Sequence, residues 1–171
     1  LDGYTPTALI DLPAVAARLG VGRVLVKAEV ERFGLPSFKV LGASWATYRA
    51  LVDHVGEEPA PWQGFAGLAE RFAALRPFAL ASATDGNHGL AVARMARHLG
   101  FECRVFVPEG TVAPRIAAIE SEGATVTLVD GDYDLAVARS AEEAGDRCLV
   151  VSDTSWPGYE VTPRRVIEGY S

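Results

Sequence analysis

The stretch Phe78–Val107, FALASATDGNHGLAVARMARHLGFECRVFV, decides the fold. Phe78 to Ser82 is an apolar run of strand length. Asn87 to Leu99 then places Val92, Met95, Ala96 and Leu99 at helical spacing, and Cys103 to Val107 is a second apolar run. A strand, a helix and a strand of these lengths predict a right-handed βαβ unit with parallel strands. The rhythm goes on downstream, with helices over Pro114–Ser121 and Tyr133–Ala144 and strands over Thr125–Val129 and Leu149–Ser152. The fold class is therefore α/β, a three-layer αβα arrangement with helices on both faces of a parallel sheet. Ligands in such sheets bind beyond the carboxyl ends of the strands, which directs attention to the loops after Ser82, Val107, Val129 and Ser152.

Upstream of this unit the pattern is less regular. Thr5-Pro6-Thr7 reads as a turn, and Leu12, Val15, Ala16 and Leu19 mark a short helix that Gly20 closes. Val24 to Val26 reads as a strand. The next helix has Pro36 near its first position and Lys39 in its first turn, with Leu41, Trp45, Tyr48 and Val52 expected to form its buried face. The proline-containing segment GEEPAPWQG, Gly56–Gly64, is expected to be a surface connection before a further amphipathic stretch from Phe65 to Leu75.

Composition narrows the function classes. The 171 residues are 49% hydrophobic and 22% charged with a formal net charge of −6. This suits an ordinary globular chain, one domain or two small lobes, and gives no basic field for phosphate backbones, so nucleic acid is not an expected partner. No apolar run reaches membrane-spanning length, and Leu1-Asp2-Gly3-Tyr4 lacks the basic and apolar regions of a signal peptide, which points to the cytoplasm. Cys103 and Cys148 sit in apolar strand contexts without close-spaced partners, so buried thiols are expected rather than a disulfide or a metal site. The chain starts without Met and stops at Ile167–Ser171 where a helical pattern starts, which is expected of a portion of a longer protein.

Three places carry candidate chemistry. Ser82-Ala-Thr-Asp-Gly-Asn-His-Gly89 joins a strand end to a helix, with Gly86 and Gly89 allowing close approach of a ligand and the helix N-terminus offering free amide donors. The plain alternative is a turn in which Asp85 or Asn87 caps the helix. Asp153-Thr-Ser-Trp-Pro-Gly-Tyr159 puts an acid and two aromatic residues after a strand, although Asp153 could cap a turn and Trp156 and Tyr159 could cover core. Lys39 is the third. The plain alternative for a lone lysine in a first helical turn is a solvated side chain, or one snorkelling over apolar neighbours, but at the positive end of a helix it is electrostatically disfavoured as a cation. Helix dipole and desolvation together are expected to lower its pKa and favour the neutral amine that attacks an aldehyde.

The order Ser37-Phe38-Lys39 with Gly42-Ala43, then Gly86-Asn87-His88-Gly89, then Pro108-Glu-Gly110, and Gly123-Ala124 ahead of Val126 resembles the fold-type II pyridoxal-phosphate enzymes, the tryptophan synthase beta family. The resemblance covers most of the chain. Arg32-Phe33-Gly34-Leu35, Thr84-Asp85 before the glycine, and Asp153-Thr154 with Trp156, Gly158 and Tyr159 look most like the members that act on 2,3-diaminopropionate. The related serine and threonine dehydratases have a small residue where Asp85 stands.

The resemblance implies an ammonia-lyase that converts 2,3-diaminopropionate to pyruvate and ammonia by α,β-elimination, with pyridoxal 5′-phosphate as cofactor. Lys39 would bind the cofactor aldehyde as a Schiff base, Phe38 and Gly86 would line the cofactor, and Asn87 would hydrogen-bond its phenolic oxygen. Lys39 would serve as base on one face and Asp85 on the other, and Asp85 with Asp153 would hold the second ammonium of the substrate. His88 is expected to brace its loop, with His54 and His98 on helical exteriors. Residues 1–38 would belong to a larger lobe, 39–153 would form the smaller lobe and 154–171 would return to the larger one. The family's glycine-rich phosphate loop lies beyond this pattern, so the chain alone is expected to bind cofactor weakly and the full-length protein to be a homodimer. A serine or threonine dehydratase and a non-catalytic lobe are the alternatives.

Overall fold

The computed structural model describes residues 4–171; Leu1-Asp2-Gly3, part of the segment compared above with a signal peptide, lies outside them. The chain opens with strand β1 (Leu9–Asp11), helix α1 (Pro13–Leu19) and strand β2 (Leu25–Lys27), and β1 pairs antiparallel with β2. Gly20 ends α1 as expected, in the left-handed conformation at φ 66°. A tight turn follows in which Arg32 and Leu35 exchange backbone hydrogen bonds of 2.9 Å, with Phe33 and Gly34 both at positive φ. Arg94 Nη1 donates to the Phe33 carbonyl at 3.0 Å and holds that turn against the body of the protein.

Helix α2 (Lys39–Val55) starts at Lys39 itself, with Pro36 left in the preceding turn rather than near the first helical position. Of its expected buried face, Val52 is buried, but the rest differs. Val40, Gly42, Ala43, Ala46, Ala50 and Leu51 are buried, whereas Trp45 is 40% exposed and Leu41 and Tyr48 are half-buried. The reason is close helix packing. Helix α7 (Val161–Glu168) crosses α2 so tightly that a methyl group on Gly42 would lie 2.5 Å from the Val166 carbonyl oxygen, and one on Gly169 would lie 2.7 Å from that of Leu41. Only small residues fit such a crossing, so the bulky side chains turn to its flank and line an apolar groove of about 390 Å³ with Trp62, Phe65 and Met95. The end of the chain thus completes α7; Ile167 to Ser171 close a helix rather than open one.

The connection over residues 56–63 leads into α3 (Gly64–Arg71) and a 3₁₀ turn (Ala73–Leu75). The regular part follows: β3 (Ala79–Ala83), α4 (Asn87–Leu99), β4 (Glu102–Pro108), α5 (Ala113–Glu120), β5 (Thr125–Val129), α6 (Tyr133–Ala141) and β6 (Cys148–Val150). The four strands form one parallel sheet in the order β5-β4-β3-β6. Alternation along β3 shows the layering. Leu80 joins the large core with α2, α4 and α5, while Ala83 packs with Phe106, Ala136 and Val137 toward α6. Helices therefore cover both faces, the three-layer αβα arrangement predicted. The chain steps from β3 to β4 to β5 and then returns past β3 to β6, so the order in which strands are added reverses between β3 and β6. That reversal opens a crevice at their carboxyl ends. Both cysteines are buried free thiols. No helix among the described residues is long and apolar enough to cross a membrane.

Candidate active site

The crevice is occupied by polar side chains. The loop after β3 supplies Thr84 to Gly86, the start of α4 supplies Asn87 and His88, the loop after β6 supplies Asp153, and α2 directs Lys39 into the same space. Together with Arg115 and Tyr133 these residues line a cavity of about 240 Å³. Of the residues singled out in the sequence, Lys39, Asp85, Gly86, Asn87 and Asp153 converge there. Phe38 does not line it; its ring meets that of Tyr170 edge to face at 4.8 Å, next to a separate pocket.

The loop geometry rules out the plain capping turn. Gly86 is the N-cap of α4 and no side chain caps it, so neither Asp85 nor Asn87 is spent on the helix. The Gly86 N–H instead donates to Thr84 Oγ1 at 2.9 Å, an internal brace that shapes the loop. Gly89 serves packing rather than ligand approach: a methyl there would overlap Thr84 Cγ2 and lie 3.0 Å from Val105 Cγ1, so its absence lets α4 sit close on the sheet. Asp85 points outward, 78% exposed at the rim, with its carboxylate 4.0 Å from Arg115 Nη1 and its carbonyl accepting from Arg115 at 2.7 Å. Asn87 is exposed at the same rim.

Lys39 and Asp153 form the centre. Lys39 Nζ donates to Asp153 Oδ2 at 2.8 Å, with side chains 31% and 19% exposed. The expected low lysine pKa is not what this geometry produces. Burial pulls the Lys39 pKa down, but the hydrogen bond and charge of Asp153 outweigh it, and the amine is held above its ordinary value. Burial raises the Asp153 pKa, and the cationic neighbours, His88 when charged and Lys39, bring it below the ordinary carboxylate range. The amine rests as an ammonium, and its reactivity requires a place for the proton.

The aromatic residues after Asp153 take the plainer role. Trp156 and Tyr159 stack at 4.0 Å against the core, and the Tyr159 hydroxyl donates to the Val150 carbonyl at 2.6 Å while accepting from the Ser152 N–H at 3.0 Å. They clamp the loop that presents Asp153. Tyr133 Oη and Thr154 Oγ1, 3.0 Å apart, close its other side. His88 braces as expected, its Nε2 donating to the Val151 carbonyl at 2.9 Å. His54 is exposed, while His98 is partly covered by a stacked Phe65 ring at 4.1 Å. Arg115 and Tyr133 were not signalled by the sequence as site residues, because each sits at the first turn of a helix whose position over the crevice depends on strand order.

A primary amine in a polar cavity, a side-chain amide at the rim and a glycine backbone between them fit the aldehyde and phenolic oxygen of pyridoxal phosphate. The buried Nδ1 of His88, without a hydrogen-bond partner, marks the same spot as a place built for more than packing.

Comparison with known proteins agrees. The family model for pyridoxal-phosphate dependent enzymes matches residues 1–171. Diaminopropionate ammonia-lyase of Escherichia coli (strain K12) is 35% identical over 174 residues, an alignment that covers all of this chain and 42% of that protein. The Salmonella typhimurium enzyme of the same name is 37% identical over 173 residues, covering 99% of this chain and 43% of the relative. The crystal structure of the E. coli enzyme in complex with an aminoacrylate-PLP azomethine reaction intermediate superposes with a TM-score of 0.83 at 33% identity, over 99% of this chain and 42% of that one. The chain thus spans about two fifths of the length of the relatives it matches.

Proposed function

The chain belongs to the family of pyridoxal-phosphate dependent enzymes, and we propose that it carries part of the active site of a carbon–nitrogen lyase that releases ammonia from 2,3-diaminopropionate and leaves pyruvate. One observation carries this: a lysine amine and the Asp153 carboxylate meet in one small cavity where the strand order reverses, with a second acid, Asp85, at its rim. A substrate with two amino groups and one leaving ammonium needs more acidic partners than a hydroxy amino acid does.

The bound cofactor supplies an electron sink, and the protein supplies position and proton handling. Lys39 would hold the cofactor through its aldehyde, with Asn87 and Gly86 beside its ring. The Lys39 amine would take the α-proton on one face of the substrate, and Asp85, exposed at the rim, would serve the other. Asp153, released from Lys39, holds the second ammonium of the substrate and keeps it protonated for departure. We assign residues 39–153 to a smaller lobe and residues 1–38 and 154–171 to a larger one, and place the full-length protein in the cytoplasm as a homodimer.

The test is a substrate comparison on the intact protein, following keto-acid release from 2,3-diaminopropionate, serine and threonine. Faster turnover of diaminopropionate supports the lyase, preference for serine or threonine assigns a dehydratase instead, and inertness toward all three in the presence of pyridoxal phosphate overturns the catalytic function.

A further inference from the structure

His88 holds a feature that bracing does not require. A carbonyl oxygen only accepts, so the 2.9 Å contact to Val151 fixes the proton on Nε2 and leaves Nδ1 with a lone pair. That Nδ1 is buried, has no hydrogen-bond partner among the described residues, and faces Asp153 Oδ2 at 3.7 Å. The same Oδ2 accepts from Lys39 at 2.8 Å. A bare lone pair aimed at a carboxylate is unfavourable unless a proton can come between them.

We propose that His88 is a positioning residue that acts through Asp153, receiving on Nδ1 the proton that Lys39 must lose before its amine can react. The step balances within the chain. An N–H bond of the Lys39 ammonium breaks and leaves its electron pair on Nζ. Asp153 Oδ2 takes the proton and, after a small rotation of its carboxylate, passes it to His88 Nδ1. A Lys39–Asp153 ion pair becomes an Asp153–His88 ion pair at constant total charge, so the buried carboxylate is never left alone.

The other charged and titratable groups around the cavity do not serve instead. Tyr133 from α6 and Tyr170 from the end of α7 are held protonated by burial. Arg115 from α5 is a permanent cation turned toward Asp85, and Asp85 lies out at the rim. Burial keeps His88 neutral while Lys39 is charged; the nearby Asp153 carboxylate favours its protonation and the Lys39 charge opposes it. Loss of the Lys39 charge removes one influence against protonation, and the proton arriving on Asp153 Oδ2 is then 3.7 Å from the open Nδ1.

The inference deepens the proposed lyase function and rests on Lys39 being its reactive amine, but it is read out separately. The intact protein, freed of cofactor, is labelled with ¹⁵N-histidine and compared with Lys39→Met by NMR at pH 7. Nδ1 of His88 is expected to be unprotonated in the wild type and protonated in K39M. A Nδ1 that stays unprotonated in well-folded K39M overturns the proposal, even if the wild type turns over diaminopropionate normally. A second variant, His88→Gln, keeps an N–H for the Val151 carbonyl and has no site for the proton. The rate at which its Lys39 is captured by pyridoxal phosphate and borohydride should fall about tenfold for each pH unit below 9, while the wild-type rate stays nearly level down to pH 7. Parallel profiles would contradict the proposal.

Discussion

Lys39 Nζ and Asp153 Oδ2 stand 2.8 Å apart although 114 residues separate them in sequence. The contact joins the first turn of α2 to the loop after β6, so the Lys39 amine and its counter-ion are assembled only when the sheet has closed. The pair also sets a pH window. The Lys39 pKa is raised, so its contribution to stability is present below the unfolded lysine value and is lost as pH rises through the folded one. The Asp153 pKa is lowered, so its contribution is present above the unfolded aspartate value and is lost as pH falls through the folded one. Asp153→Asn leaves burial as the main influence on the amine and lowers its pKa. The Lys39 amine, followed by NMR of ¹⁵N-lysine, should then titrate at lower pH than in the wild type; an unchanged or higher midpoint would show that Asp153 does not hold the proton on Lys39.

Arg94 bridges the turn before α2 to the Glu122 carboxylate, which it meets at 2.6 Å with side chains 21% and 6% exposed. Arg94→Ala releases the Phe33 carbonyl and leaves the buried Glu122 carboxylate with the more exposed Arg97, at 3.3 Å, as its remaining partner. The cost should be about 2 kcal/mol in chemical denaturation. Changing Glu122 to Gln in the same background should recover part of it, because the weakly paired buried charge is gone. A loss below about 1 kcal/mol, the range of exposed pairs, would mean the bridge does not hold this turn.

Burial pushes the Cys103 thiol up to about 12 and the Cys148 thiol up to about 11. Neither forms thiolate at neutral pH, and neither should react with a thiol reagent at pH 8 until the protein unfolds. Rapid labelling of the native protein at either cysteine would contradict the buried placement of β4 or β6.

Asp85 sits at the cavity rim with its side chain unspent on capping. Asp85→Asn should lower turnover of one enantiomer of 2,3-diaminopropionate about 100-fold and leave the other within about threefold, because Lys39 still serves its own face. Equal loss on both enantiomers would make Asp85 a binding residue, and full activity on both would remove it from the mechanism.

The parallel sheet was legible because its signals are local. The predicted spans Asn87–Leu99 and Thr125–Val129 coincide with α4 and β5, where a glycine follows the helix and β-branched residues fill the strand. The three-residue β1 was missed, since its exposed residues carry no alternation. The face of α2 was misjudged for a different reason. Hydrophobic spacing cannot anticipate a partner helix so close that Gly42 and Gly169 meet backbone to backbone, which leaves no room there for Trp45. In the site, the motif residues of the β3–α4 loop were found by their glycines and polar side chains. Arg115, Tyr133 and the protonation of Lys39 were not, since each depends on strand order or on a partner over a hundred residues away.

The central claim is that Lys39 is the cofactor-binding amine. The chain has two lysines, and the other, Lys27, donates to the Thr7 carbonyl at 2.6 Å on the exposed β2. Incubating the intact protein with pyridoxal phosphate, reducing with borohydride and mapping the modified peptides separates them. Modification at Lys39 with Lys27 unmodified is the predicted result. Equal labelling of both lysines, or labelling of Lys27 alone, would contradict the assignment of this cavity as the cofactor site.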